Sequence, residues 1–467
     1  MIVMLQRKFT SVLEHYLTEG TDKILLVNGA RQIGKSYLIR YVGQKLYRHY
    51  VEINLQDDKN NQSVFAHVRS KEDMYLQIGA IANTSLGDKS DTLIFLDEIQ
   101  AYPHLLTMLK FLREDGKYHF IASGSQLGIA LSETPSVPIG SVAIETMYPL
   151  DFEEFLWAMG VMQEPIDTMR QHFLAKEPLP EGLHRYMLQL FKYYLLVGGL
   201  PEAINKFLPT RNIHEVRSIH KYIHELYRTD ASQYDQDRKL TIRRIYDMIP
   251  SQLENKKKRI VYQDIEDKKG KRFTNYQDEF EYLIESGITL NVQAVSQPKY
   301  PLAESSSKNL LKLYLNDVGL LTYLLYNINI NAVLQDQKSI NLGSVYESVV
   351  AQELRAHGYK LYYYDNKKKG EVDYLINDTN TVQVLPIEVK SGKDYTEHSA
   401  LTKFLGDKEY NIDQAFVFSN DPNVYEEDGI RYMPIYYIMF LQQTPTDVVI
   451  LPPIEMPTEN SSTVTRR

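Results

Sequence analysis

Three short stretches hold side chains whose types and spacing could do chemistry. Residues 23–40 read KILLVNGARQIGKSYLIR, in which Gly29 to Ser36 fit the pattern G-x-x-x-x-G-K-S. Ile24 to Val27 form a short apolar strand and YLIRYVGQKL continues as an amphipathic helix, the context in which this pattern binds phosphate. Gly29 and Gly34 let the backbone curl, so that the N–H groups along Gly29, Ala30, Arg31, Gln32, Ile33 and Gly34 face phosphate oxygens at a helix N-terminus. Lys35 is then expected to neutralise the β- and γ-phosphates of ATP, and the Ser36 hydroxyl to ligate Mg²⁺.

The second stretch is TLIFLDE, residues 92–98, a buried strand ending in acid sixty-two residues after Lys35. Asp97 is placed to hold Mg²⁺ through water, and Glu98 to polarise an attacking water. Between loop and acid lies another strand, YVEINLQDD (50–58). After them come an amphipathic helix, PHLLTMLKFLRED, and a strand, HFIASGSQ (119–126), whose end presents Ser123, Ser125 and Gln126. Ser125 or Gln126 is a candidate sensor of the γ-phosphate, with a turn-forming role the alternative. Alternating strands and helices imply a parallel α/β sheet with its ligand at the carboxyl ends of the strands.

The third stretch is GEVDYLINDTNTVQVLPIEVKSGK, residues 370–393. It reads as two strands joined by a polar turn. Glu388 and Lys390 share one face of the second strand, and a hairpin of this length can set Asp373 opposite them. Asp373 and Glu388 with the Val389 carbonyl form a hard-oxygen set suited to Mg²⁺, and Lys390 is placed to orient or deprotonate water. GSVYESVVAQELRAHGY (343–359) reads as an amphipathic helix bearing Glu347 and Glu353, and Glu347 could complete the metal shell. KKKG at 367–370 is a candidate phosphate contact.

Those constellations need domains to hold them. The chain has 467 residues, 43% hydrophobic and 24% charged, the balance of a protein with real cores. It has no cysteine, which excludes disulfides, thiolate zinc sites and cysteine nucleophiles and fits a reducing interior. No apolar run approaches the roughly 18 residues that span a bilayer, and the start lacks a signal-peptide core, so a cytoplasmic protein is expected. A net charge of −8 argues against coating nucleic acid non-specifically. Residues 238–272, however, hold twelve Lys and Arg against five Asp and Glu, a local +7.

Residues 151–235 are dominated by helical patterns, punctuated at Gly198, Gly199 and Pro201. His220 and His224 share a helix face there, but without a third ligand they are expected on an ordinary surface or interface helix rather than at a metal. LTIRRIYDMIPSQLE, RIVYQDI and FTNYQDEFEYLIESGITLNV give helix, short element, helix and strand, the order of a winged-helix module. KKKR (256–259) and KKGKR (268–272) flank its turn, where DNA phosphates could be met. From about residue 308 the pattern reads helix–strand–strand–strand, with KNLLKLYLNDVGLLTYLL opening the last domain.

With MYPLDFEEFL (147–156) and VGGLPEAI (197–204) added, the chain resembles the bacterial and archaeal AAA-type ATPases that carry a C-terminal domain of uncharacterised function. That resemblance, over roughly residues 1–440, implies an ATPase core (1–150), a helical lid (151–235), a winged helix (236–300) and a restriction-endonuclease-like domain (301–440); the tail from 441 to 467, rich in Pro, Thr and Ser, is expected to be disordered from its composition. It also implies assembly into homo-oligomers. Family members commonly have Gly-Arg just before the PLDFEEFL-like element, where this chain has Gly140-Ser141. Arg113 is a candidate substitute, acting across a subunit interface. The expected function is Mg²⁺-dependent ATP hydrolysis coupled to DNA binding, with metal-dependent DNA cleavage as an added possibility. The alternative is a signalling ATPase that docks protein partners and keeps an inactive nuclease-like domain.

Overall fold

The computed structural model describes residues 4–18, 22–83, 85–133, 140–231, 238–327, 329–335, 342–392 and 395–443. Most of the tail expected to be disordered, from residue 444, lies outside them.

The first sheet contains β1 (Ile24–Asn28), β2 (His49–Asn54), β3 (Thr92–Asp97), β4 (His119–Gly124) and β5 (Val142–Thr146). All five are parallel, in the order β2-β3-β4-β1-β5. The sequence dictates this: β3 is apolar from Leu93 to Leu96 and buried at every position, as a strand covered by helices on both faces must be. Placing β4 between β1 and β3 brings the carboxyl ends of all three to one edge, the arrangement typical of AAA-type P-loop ATPases.

Five helices follow: Phe152–Ala158, Gln163–Ala175, Glu181–Val197, Pro201–Thr210 and Ile213–Ala231. Phe152 and Phe155 pack edge-on and tilted against Phe191 and Tyr194. The break between the third and fourth helices is fixed by contact. A Cβ on Gly199 would lie 2.1 Å from the Leu150 carbonyl oxygen, and one on Gly198 2.2 Å from Asp317 Oδ1. Asp317 is buried and accepts the N–H groups of Gly199 (2.6 Å) and Leu320 (3.0 Å), so one carboxylate pins the turn and caps the helix Val318–Tyr326. His220 lies on the inward face of the helix Ile213–Ala231. It is fully buried with Nε2 2.9 Å from the Val197 carbonyl oxygen, and burial beside Arg217 pulls it down to about 3.

The second sheet has eight strands. They are β6 (Thr289–Val295), β7 (Ser306–Leu315), β8 (Leu361–Asn366), β9 (Gly370–Asp378), β10 (Gln383–Val389), β11 (Ala415–Ser419), β12 (Tyr425–Glu427) and β13 (Ile430–Pro434). Their order is β12-β13-β11-β10-β9-β8-β6-β7. The hairpin β6–β7 follows the helices Lys239–Glu254 and Gln277–Glu285, and β6 pairs in parallel with β8. The strand read as part of a separate module is thus hydrogen-bonded into the C-terminal sheet. KNLLKLYLNDVGLLTYLL, read as the helix opening the last domain, is instead β7 followed by a helix that starts after Asp317. A short apolar run buried on both faces does not distinguish strand from helix by its period. The helix Gly343–Ala356, read as amphipathic, is buried at every residue from Ser344 to Leu354. Its Glu353 accepts the Phe152 N–H at 2.9 Å and the Tyr194 hydroxyl at 3.1 Å, joining it to the helical segment. Among the described residues no helix is long and apolar enough to cross a membrane.

Replacing Asp317 by alanine orphans two buried N–H groups. Asp317→Ala should lower stability by about 2–4 kcal/mol, read as an earlier urea midpoint at unchanged slope. An unchanged midpoint would remove Asp317 as the pin.

Candidate functional site

Gly29 and Gly34 have φ of 143° and 94°, the left-handed region that favours glycine, and they bound the loop between β1 and the helix Lys35–Leu46. Lys35 is buried, and its ammonium donates to the Gly29 and Ala30 carbonyl oxygens, both at 2.8 Å. Burial brings it down to about 8, against the pull of Glu98 and Asp97. Ser36 Oγ donates to Asp97 Oδ2 at 2.8 Å, and Ser123 Oγ to Asp97 Oδ1. Burial pushes the Asp97 carboxyl up, and these two hydroxyls oppose the shift. A carboxylate held by hydroxyls at a strand end is a hard-oxygen donor set of the kind Mg²⁺ takes.

Glu98, at φ 54°, turns its carboxylate toward the end of β4, where Ser125 Oγ donates to Oε2 at 3.3 Å. Sequence reasoning missed Gln100, whose amide donates to the same oxygen and lies 3.5 Å from Ser125 Oγ. Its position two residues after Glu98 was the available signal. Gln126, the other candidate sensor, is turned away from the loop and donates to Tyr282 Oη at 2.9 Å. Arg113 is not at the loop either. It donates to the Asp22 carbonyl (2.9 Å) and to Ser141 Oγ (3.3 Å), beside the starts of β1 and β5 and so at the opposite edge of the sheet.

Other residues reach the loop from far away in sequence. Arg7 is buried and donates to the Ile33 carbonyl at 3.0 Å, the Tyr148 carbonyl at 2.6 Å and Glu154 Oε1 at 3.1 Å. Arg31 pairs with Asp230, and Tyr227 Oη donates to the Arg31 carbonyl at 2.9 Å. Burial raises Asp230 to about 6, with Arg31 opposing and Glu98 adding to the rise. Gly287, at φ 73°, lies flat on the loop: a Cβ there would stand 3.0 Å from the Ala30 nitrogen. Beside Gly34 opens a largely apolar cavity of about 550 Å³, lined by Leu5, Tyr37, Met147, Pro201 and Ile219 among others.

The hairpin is built as its sequence suggests. Tyr374 pairs with Ile387, so the register continues to Asp373 opposite Glu388. Lys390 Nζ donates to Glu388 Oε1 at 2.9 Å, and Asp373 Oδ2 accepts the Val389 N–H at 2.9 Å. Burial raises Glu388 to about 8, Asp373 adds to the rise, and Lys390 only partly offsets it. Glu347 does not join them in a metal shell. Its carboxylate pairs with Lys258 through Oε1 and accepts the Tyr314 hydroxyl at 3.2 Å through Oε2. Among the described residues no group of three or more His, Asp or Glu side chains is placed to hold a metal ion. Glu347, expected to complete the Mg²⁺ shell of Asp373, Glu388 and the Val389 carbonyl, is here engaged by Lys258 and Tyr314 instead.

The basic segments divide. In KKKR, Lys258 is paired with Glu347 and Arg259 Nη1 lies 3.3 Å from Asp365 Oδ2, while Lys256 and Lys257 are exposed. Lys268, Lys269 and Arg272 of KKGKR are exposed, and Lys271 lies 3.0 Å from Glu266. Lys369 of KKKG pairs with Asp407 and donates to Tyr410 Oη at 2.9 Å, so it is engaged within the chain rather than free for phosphate.

Residues 21–156 match the family model described as an AAA domain, which supports a P-loop ATPase in the N-terminal part. Residues 188–331 and 342–438 match two domains of unknown function, DUF8612 and DUF4143. No curated protein matches the chain. Among solved structures it is similar to Aeropyrum pernix ORC1 in complex with DNA, at 13% identity over 72% of this chain and 94% of that one, with a TM-score of 0.31. AMPPCP-bound DnaA from Aquifex aeolicus is 12% identical over 50% and 72%, with a TM-score of 0.29. Thermotoga maritima RuvB, a Holliday junction branch migration motor, is 13% identical over 61% and 89%, also at 0.29. Overlaps this loose add nothing to the functional reading.

The Lys35 ammonium sets a pH test. Phosphate oxygens in place of two carbonyls stabilise its charged form and raise its pKa from about 8, so triphosphate binding should take up a proton near that pH. ATP affinity should fall by up to about tenfold per unit as pH rises above 8. Calorimetry in buffers of different ionisation enthalpy reads both effects, and pH-independent affinity from 7 to 9.5 would contradict them.

Proposed function

We propose that the chain is a Mg²⁺-dependent ATPase whose N-terminal site is coupled to DNA binding by its middle segment. The observation that carries the reading is the meeting of Lys35, Ser36, Asp97, Glu98 and Ser125 at the carboxyl ends of β1, β3 and β4. Lys35 leaves the Gly29 and Ala30 carbonyls for the β- and γ-phosphates. Ser36 and Asp97 would hold the cation, which when bound would supply charge neutralisation across the phosphates. Glu98 takes the proton of the attacking water, with Gln100 and Ser125 fixing one of its oxygens so that the other faces the γ-phosphate. The cavity beside Gly34 suits a nucleobase. In this reading copies of the chain assemble, and a neighbouring copy completes the hydrolytic site.

DNA is met, in this reading, by the helices Lys239–Glu254 and Gln277–Glu285 with the hairpin β6–β7 as a winged helix, and by the exposed lysines of 256–257 and 268–269. A second reading, in which this segment docks a protein partner, is favoured by the internal pairing of Lys258, Arg259 and Lys369, which leaves less free positive charge.

ATP hydrolysis by the full chain, with and without duplex DNA at two salt concentrations, tests the proposal. We expect turnover that DNA stimulates at low salt, that Lys35→Ala abolishes, and whose stimulation weakens when Lys268, Lys269 and Arg272 are replaced by serine. Turnover retained in Lys35→Ala overturns the site, and turnover indifferent to DNA at low salt transfers the function to the protein-docking reading.

A further inference from the structure

The carboxylates around the C-terminal hairpin are closely set, buried and partly uncompensated. Glu347 is 3% exposed and Glu388 6%, and Glu388 Oε2 has no hydrogen-bond partner. Repulsion between such groups is what a divalent cation relieves in a metal centre. Three ammonium groups stand in the same field: Lys390 of the hairpin itself, 2.9 Å from Glu388 Oε1, and two brought from other segments. Lys258 comes from the loop after the helix Lys239–Glu254, adopts φ 50°, and pairs with Glu347. Lys312 of β7 is fully buried, pairs with Glu371 at 2.5 Å and lies 4.5 Å above the Tyr363 ring.

The position of Lys258 is built rather than incidental. The Ile260 N–H bonds the Leu311 carbonyl at 2.9 Å, tying the segment to β7. Arg259 reaches Asp365 on β8, and Tyr262 Oη donates to the Asn309 carbonyl at 2.8 Å. Tyr374 Oη holds the Glu347 carbonyl at 2.8 Å, and Tyr314 holds one oxygen of its carboxylate. Burying a cation among carboxylates without such pairing would cost several kcal/mol.

We propose that Lys258 is the resident cation of this site: it takes the place that a divalent metal would occupy beside Glu347, and locks the segment between the two middle helices onto the C-terminal sheet. The hairpin site is then a lysine-neutralised junction rather than a standing metal centre. The inference is independent of the ATPase reading and is tested without nucleotide.

The test is Mn²⁺ binding to the nucleotide-free full chain by calorimetry. Wild type and Asp373→Asn should give the same isotherm, because the hairpin takes no metal while Lys258 is in place. Lys258→Met, which keeps the side-chain length and removes the charge, should gain a Mn²⁺ site at least about tenfold tighter than any in wild type. Adding Asp373→Asn to it should remove that site. Lys257→Met, at an exposed neighbour, should behave as wild type. A wild-type Mn²⁺ site that Asp373→Asn abolishes overturns the proposal, and so does a folded Lys258→Met that binds Mn²⁺ no better than wild type. If Lys258→Met does not fold, the comparison of wild type with Asp373→Asn decides the matter alone.

Discussion

A glycine from the second half of the chain lies against the phosphate loop, and the long-range contacts of that loop gather around it. Gly287 approaches the Ala30 backbone so closely that no side chain fits without displacement, and its φ of 73° suits only glycine well. Around it, Arg31 is held at both ends, its side chain by Asp230 and its carbonyl by Tyr227. Tyr282 receives the Gln126 amide from the end of β4 and donates to the Asp230 carbonyl at 2.8 Å. The loop between β1 and the helix Lys35–Leu46, the end of β4 and the helix leading into β6 are therefore one connected set.

Buried charge shapes the rest of the interior by the same rule, that an ion out of water needs a partner. Lys8 sits 2.6 Å from Asp151 and 2.7 Å from Glu153. Arg7 ties Glu154 to the phosphate loop. Glu353 crosses from the C-terminal helix to the start of the helix Phe152–Ala158. The two buried acids contrast. Asp97 is held by the hydroxyls of Ser36 and Ser123, neutral partners that a cation can share, whereas Glu347 is held by an ammonium, which a cation must displace.

How much of this the sequence revealed follows the distance between partners. The phosphate loop, the acidic strand and the hairpin are local patterns, and strand alternation alone puts Glu388 and Lys390 on one face. The parallel sheet follows from apolar runs separated by helices. What stayed hidden is long-range. Arg31 and Asp230 are 199 residues apart and Lys258 and Glu347 are 89 apart, so nothing in the composition of either segment names the other. KKKR looked like a surface for phosphate because a run of charge is usually solvated, yet two of its four residues are spent inside the chain. KNLLKLYL was misread because burial on both faces erases the period that separates helix from strand.

The most direct test of the central claim is hydrogen exchange of the full chain with and without a non-hydrolysable ATP analogue and Mg²⁺. If the phosphate loop and the segment behind it move as one, protection should change at residues 29–36 and also at 227–231 and 277–290, and Gly287→Val should alter both regions together. Changes confined to residues 24–130, with 277–290 unaffected at saturating nucleotide, would contradict the account.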